Sequence, residues 1–275
     1  MKAKLIALDI DGTILDKPSG FGVPAAVRDA AQEARLGGAR VCLCSSRPWF
    51  FMKDATDGLG RVDALIGCSG ASIAIDRETS ASADAIPAFE PVFNDILPES
   101  IVNACAVLAA KLDIYASFGG REKILARIID GAGQKLIDDP NFSFMKDSEL
   151  LSALRSEPVS CVYLFTKPGM PNEAITNAPG LEHTSIHKSS ENSFTITSKG
   201  VDKGSGLLFL ASYWGIPQEL TLAVGNDEND VPVLKAAGVG VAVGNASPET
   251  LAAADWVAPD VWNAGAAEAI RRFAL

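Results

Sequence analysis

The stretch from Lys4 to Leu8, followed at once by Asp9-Ile10-Asp11-Gly12-Thr13, constrains this chain more than any other. The run is mostly apolar and lacks polar alternation, as expected of a strand covered on both faces in a parallel α/β sheet. Two carboxylates arrive where that strand should end, and ligands of open α/β sheets bind at the carboxyl ends of strands. Residues two apart in an extended chain project to one side, so Asp9 and Asp11 should share a pocket while Ile10 turns into packing. Like charges so placed disfavour each other's ionisation. Either one acid holds a proton, or a hard, oxygen-seeking cation is bound. Gly12 permits a sharp turn and Thr13 offers a hydroxyl.

Downstream, Pro24 opens a helix in which Val27, Ala30, Ala31 and Ala34 recur at helical spacing until Gly37-Gly38 stops it. Ala39 to Cys44 reads as the next strand, completing a right-handed βαβ unit. It ends in Ser45-Ser46-Arg47-Pro48, where Pro48 suits a first helical turn and the preceding hydroxyls and amides suit a phosphate. A plain helix cap is the alternative for either serine. Trp49, Phe50, Phe51 and Met52 carry enough bulk to pack against a neighbouring domain. Val62 to Ile66 is a third strand, and Cys68 to Ser72 a small-residue loop at the same edge. Thr79 to Ala88 has the composition of a linker.

The pattern then restarts. Pro98 begins a helix with Ile101, Cys105, Leu108 and Leu112 on one stripe, and strands are expected at Ile114–Phe118, Ile124–Ile129, Val159–Phe165 and near His183 and Phe194, with a helix over Ser148–Leu154. This block of roughly 100 residues has an ordinary domain size. The expected organisation is a core made of residues 1–82 and 189–275 with an inserted α/β domain at 83–188.

The core resumes at Ser198 to Gly204. Asp202 can cap a helix whose Leu207, Leu208, Ala211 and Trp214 face inward and which Gly215 and Pro217 end. Lys203 then sits in the first turn, a poor place for a cation by dipole arguments, which favours a functional reason for it. Thr221 to Gly225 is another buried strand with polar residues at its end, Asn226-Asp227-Glu228-Asn229-Asp230. A metal site assembled from two strand ends is the economical explanation, and capping by Asn229 or Asp230 is compatible with it. Gly238 to Gly244 reads as a strand, because its glycine spacing is wrong for a dinucleotide motif. Ser247 starts a further helix, Trp256-Val257 is a short strand, and Ala264 to Phe273 the closing helix.

The net charge of -10, with no basic cluster to offset it, argues against nucleic acid and for a small-molecule partner. No segment reads as a signal peptide or a membrane span, so a soluble cytoplasmic protein is expected. The five cysteines (42, 44, 68, 105, 161) lack metal-site spacing and are expected as reduced core residues. His183 and His187 lie in a strand-like alternation and are not expected to bind metal.

Four separated stretches converge on one pattern: Asp9 to Thr13, Ser45-Ser46-Arg47, Lys199 to Gly204, and Gly225 to Asp230 with Gly244-Asn245-Ala246 downstream. In their order and spacing the chain resembles the haloacid dehalogenase-like superfamily, and more narrowly its Cof-type sugar-phosphatase branch. The resemblance implies a Rossmann-like core with a mostly parallel sheet and an α/β cap between the second and third motifs. It implies a Mg²⁺-dependent phosphomonoesterase for a small phosphorylated metabolite, a sugar phosphate or a related compound. Asp9 would attack phosphorus to give an aspartyl-phosphate, and Asp11 would act as acid and then base. Lys203 would join them in catalysis. Ser45, Ser46, Lys203 and Asn229 would hold the phosphoryl oxygens, and Arg47 and Gly70 would meet the rest of the substrate. Asp9, Asp11, Asn226, Asp227 and Asp230 would form the Mg²⁺ site, with Asp11 contributing its backbone carbonyl. The family usually has an acid where Asn226 stands, so weaker metal affinity is expected. Ser45-Ser46 replaces a common Thr-Gly, and Ser69 a common Asn. A phosphotransferase or mutase, or a phosphate-binding protein impaired by Asn226, are the alternative functions. A monomer or homodimer is expected.

Overall fold

In a computed structural model, residues 2–16, 22–77, 88–120, 123–129 and 140–275 are described. The chain starts with β1 (Leu5–Leu8), α1 (Ala25–Leu36), β2 (Arg40–Cys44), α2 (Lys53–Leu59), β3 (Ala64–Gly67), β4 (Ser72–Asp76) and β5 (Phe89–Asn94). Next come α3 (Glu99–Leu112), β6 (Tyr115–Gly119), β7 (Ile124–Arg127), β8 (Phe142–Met145), α4 (Asp147–Leu154), β9 (Cys161–Phe165), α5 (Glu173–Thr176), β10 (Thr184–Ser190) and β11 (Ser193–Ser198). The remainder is α6 (Lys203–Tyr213), β12 (Thr221–Gly225), α7 (Val231–Ala236), β13 (Val239–Ala242), α8 (Pro248–Ala253), β14 (Trp256–Val257) and α9 (Gly265–Ala274). The linker expected over Thr79–Ala88 lies outside the described residues except for Ala88.

One unit comprises residues 1–93 and 202–275. Its sheet runs β14-β13-β12-β1-β2-β3-β4-β5, parallel from β14 to β3, with β4 antiparallel to β3. The unbroken apolar character of β1 has a direct cause, because its side chains alternate between two cores. Ile6 and Leu8 join Val41, Leu43, Leu222 and Val224 on one face, against α1 and α9. Leu5 and Ala7 join Cys42, Cys44, Ala64 and Ala223 on the other, where α6 packs through Leu207 and Leu210. Truncating a buried residue such as Ile6 to Ala should cost about 2–5 kcal/mol. In register, Leu8 stands beside Leu43 and Val224. Asp9, Ser45 and Asn226 therefore emerge together at the carboxyl edge of the sheet.

The second unit, residues 94–201, has the sheet order β10-β11-β9-β6-β7-β8. Its core gathers Ala116, Phe118, Leu125, Val162, Leu164, Phe194 and Ile196 with Ile101, Cys105 and Leu150 of α3 and α4. The division falls at Phe93/Asn94 and Val201/Asp202 instead of 82/83 and 188/189. The reason is strand pairing: β5 lies beside β4 in the first sheet, and β10 and β11 pair with each other and with β9 in the second.

Three strands were not anticipated, namely β4, β5 and β8. On α6, Leu207 and Ala211 are buried as expected, but Leu208 is on the exposed side. All five cysteines are buried thiols. Burial pushes the Cys105 thiol up to about 12. His187 Nε2 lies 3.0 Å from both Thr197 Oγ1 and the Val201 carbonyl. Among the described residues no helix is long and apolar enough to cross a membrane.

Candidate active site

Asp9 follows β1 and is almost fully buried. Its Oδ1 accepts a hydrogen bond from Lys203 Nζ at 2.7 Å. The same ammonium donates to Asp230 Oδ1 at 2.5 Å and Asn229 Oδ1 at 3.3 Å. Lys203 opens α6, and the Asp202 side chain caps that helix by accepting from Ser205 N at 2.8 Å. The helix dipole opposes a cation there, and two buried carboxylates offset it. Burial raises the Asp9 pKa first and the Asp230 charge raises it further, while Lys203 opposes both, leaving Asp9 at about 7. Burial would lower the Lys203 pKa, but Asp230 and Asp9 outweigh it and keep this group an ammonium.

The loop after β12 is built on Asp230, which is wholly buried. Its Oδ2 accepts from the backbone N–H groups of Asn226 (2.8 Å) and Asp227 (3.0 Å). With Oδ1 on Lys203, both Asp230 oxygens are engaged in shaping the loop. Asp227 Oδ1 accepts from Glu228 N at 2.9 Å and caps the turn that follows. The end of the Asn226 side chain points back to β1. One atom of its amide lies 3.1 Å from Asp9 Oδ2, 2.9 Å from the Asp11 carbonyl and 2.8 Å from Thr13 Oγ1. With nitrogen in that position its two N–H groups face these three oxygens. Asn245 steadies the opposing turn, donating to the Gly12 carbonyl at 2.8 Å and accepting from Val261 N at 2.9 Å.

A second polar group surrounds the end of β2. Ser45 is buried, and its hydroxyl accepts from Arg47 N at 3.2 Å. The Ser46 hydroxyl accepts from Ser69 Oγ (3.1 Å) and Asn229 Nδ2 (2.8 Å). Cys68 and Ser69 both have φ of 51°, a left-handed conformation that non-glycine residues rarely adopt and that functional sites often retain. Thus Ser45, Ser46, Asn229, Lys203, Asp9 and Asn226 form one continuous polar cluster. Among the described residues, no three His, Cys, Asp or Glu side chains converge as a cation cage. The oxygens that face one another come instead from a carboxylate, a backbone carbonyl and an amide.

Two expected substrate contacts are placed differently. Arg47 donates to Asp11 through Nη2–Oδ1 (2.6 Å) and Nε–Oδ2 (2.9 Å), and Nη1 reaches Asp54 and the Phe51 carbonyl. Its guanidinium is directed to Asp11, to the Phe51 carbonyl and to Asp54 in the first turn of α2. Gly70 is buried, with φ of +100°, and a Cβ there would lie 2.0 Å from the Asp202 carbonyl oxygen. Its role is to let the start of α6 approach the sheet edge. The hydroxyl that Thr13 offers in the sequence meets the Asn226 amide, whereas Asp54 was missed as a site partner, since it has no sequence signal beyond being a helix-start acid.

A family model described as haloacid dehalogenase-like hydrolase matches residues 6–270. The chain belongs to the haloacid dehalogenase-like hydrolases. A stress response protein of Bacillus subtilis, YhaX, is 30% identical over 94% of this chain and 88% of its own. A phosphoglycolate phosphatase of Methanobrevibacter smithii is 26% identical over the whole of both chains. Among solved structures, a HAD subclass IIB sugar phosphatase superposes with a TM-score of 0.81 at 22% identity, covering 98% of each chain, which establishes the shared fold. This kinship makes the chain a haloacid dehalogenase-like hydrolase and agrees with the resemblance of its motifs.

Proposed function

We propose that this haloacid dehalogenase-like protein is a Mg²⁺-dependent phosphomonoesterase acting on a small phosphorylated metabolite, a sugar phosphate or a close relative, through an aspartyl-phosphate on Asp9. The observation that carries this reading is the environment of Asp9. One of its oxygens is held by a buried ammonium, and the Asn226 amide lies beside both the other oxygen and the Asp11 carbonyl.

The donor set fits Mg²⁺. Ligands at right angles on an ion with bonds of about 2.1 Å lie about 3 Å apart. The inward atom of the Asn226 amide stands 3.1 Å and 2.9 Å from the other two oxygens. Asp9, the Asp11 carbonyl and Asn226 would hold the ion, with Asp230 and Asp227 shaping the loop that presents Asn226. Bound there, the ion would neutralise phosphoryl charge beside Asp9.

The residues of the chain then divide the work. Lys203 orients Asp9 and favours its anionic form, the form that can attack. Asp9 Oδ forms a bond to phosphorus as the ester P–O bond breaks, and Asp11 gives its proton to the departing oxygen. In the second half, Asp11 takes a proton from water as the water oxygen attacks phosphorus. The aspartyl P–O bond breaks, releasing inorganic phosphate and restoring Asp9. The Ser45 and Ser46 hydroxyls, Lys203 and Asn229 supply fixed donors for phosphoryl oxygens, and such preorganised charge is usually the largest catalytic contribution.

The test is release of inorganic phosphate from a panel of sugar phosphates, nucleotides and an aryl phosphate, with Mg²⁺ and with chelator, beside Asp9→Asn. Release that needs Mg²⁺ and vanishes in the variant is expected. No release from any compound would overturn the reading and favour a phosphate-binding protein.

A further inference from the structure

The inward atom of the Asn226 amide faces three oxygens, and its chemical identity decides what the site can hold. With nitrogen inward, its two N–H groups are shared among Asp9 Oδ2, the Asp11 carbonyl and Thr13 Oγ1, and no cation is needed between these oxygens. With oxygen inward, only Thr13 can donate to it, at 2.8 Å, and two further oxygens stand against it unless a cation joins them. The two orientations differ by a half-turn of the amide about its terminal bond and occupy nearly the same volume. A carboxylate at this position would have only the second option.

We propose that Asn226 is a two-position residue, its nitrogen turned inward as an internal substitute for the cation when the site is free of metal and its oxygen turned inward as a ligand when Mg²⁺ is bound. The inference rests on the Mg²⁺-phosphatase reading for the identity of the ion, but not on turnover. It gives the chain a property distinct from simple loss of affinity. The metal-free site is already hydrogen-bonded, so Mg²⁺ must displace a formed contact and adds little stability when it binds. The backbone supports the swivel, since Asn226 N is fixed on Asp230 Oδ2 and Asn226 O accepts from Ser247 N at 2.8 Å, leaving the amide end as the part that turns.

The experiment has two arms on the full chain. In the first, the side-chain amide resonance of Asn226, assigned through its own backbone in isotopically labelled protein, is followed in chelator and during Mg²⁺ titration. In chelator it should exchange slowly with solvent, as a buried donor does, and Mg²⁺ should shift it and speed its exchange. In the second, thermal unfolding is compared for the native chain and Asn226→Asp. The variant should melt several degrees lower in chelator, show a larger Mg²⁺-induced rise than the native chain, and bind Mg²⁺ at least tenfold more tightly.

An Asn226 resonance indifferent to Mg²⁺ while titration calorimetry shows the ion binding would overturn the proposal. So would equal melting of the two proteins in chelator with equal Mg²⁺ response. No Mg²⁺ binding by the native chain also overturns the two-position claim. Phosphate release measured on the same samples separates that failure from failure of the phosphatase reading. If Asn226→Asp does not fold, the resonance arm decides alone.

Discussion

Arg47 grips both carboxylate oxygens of Asp11, with Nη2 2.6 Å from Oδ1 and Nε 2.9 Å from Oδ2, while Nη1 is anchored on Asp54 and the Phe51 carbonyl. A bidentate pair of this kind fixes direction as well as distance. Arg47 thus acts on the proposed acid and base of the reaction, and its contribution should appear in turnover more than in substrate affinity. Arg47→Ala is expected to lower kcat by about 10- to 100-fold with a smaller change in KM, the usual scale for disturbing proton transfer. Steady-state kinetics with any accepted substrate checks this. A change confined to KM would restore Arg47 to the substrate-binding role expected from its motif.

Asp9 is held in a form that is costly to ionise. Its pKa is raised from an ordinary 3.8 to about 7, by burial first and then by Asp230, and an acid so raised costs the fold stability as pH climbs between those two values. The stability it contributes is full below the lower value and is lost as pH rises through the upper one. In chelator, Asp9→Asn should therefore melt above the native chain at pH 8, with the difference shrinking toward pH 4. The gain is bounded at about 4 kcal/mol, since one pKa unit corresponds to about 1.4 kcal/mol. Scanning calorimetry across that range is the check, and the same variant should release no phosphate.

Lys203 touches Asp9 and Asp230, and no side chain that is part of this contact is exposed. Lys203→Met keeps much of the volume and leaves two buried carboxylates without their cation. Breaking a buried pair from one side typically costs about 3–5 kcal/mol. Denaturant unfolding should show a loss of that order at pH 8. The loss should be smaller at pH 5, where Asp9 takes up a proton more readily.

Gly70→Ala joins a positive φ of 100° to a Cβ 2.0 Å from the Asp202 carbonyl oxygen. The backbone conformation alone costs about 1–3 kcal/mol for a residue with a Cβ, and the close contact adds to it. Since that contact lies beside Lys203, melting temperature and kcat should fall together. A variant that lost stability but kept full turnover would show that the start of α6 tolerates displacement.

The sequence made the sheet edge legible because burial on both faces leaves a plain signal. β1, β2, β3 and β12 read as unbroken apolar runs, and their ends carry the polar residues that meet. The position of Lys203 in the first turn of α6 was equally readable from its cap, Asp202. The missed strands had weaker signals. β4 follows a tight turn and begins in small residues, β5 contains Pro91, and β8 has four residues at a sheet edge. The pairing of Arg47 with Asp11 joins residues 36 positions apart, and no local pattern marks it. Leu208 has the hydrophobicity of a core residue but falls on the outward side of α6, since helical spacing alone does not fix which flank of a broad apolar face is covered. The sequence pointed to an unusual metal site through Asn226, but the three oxygens shared by its amide belong to backbone and side chains of a separate segment.

The five buried thiols have a practical consequence. Cys42, Cys44 and Cys68 lie in the first unit and Cys105 and Cys161 in the second, and all are shielded from solvent. Alkylating reagents should label none of them quickly in the native protein, and each becomes reactive only as its surroundings open. Timed labelling followed by peptide mass analysis would therefore clock the opening of each unit separately, with no introduced probe.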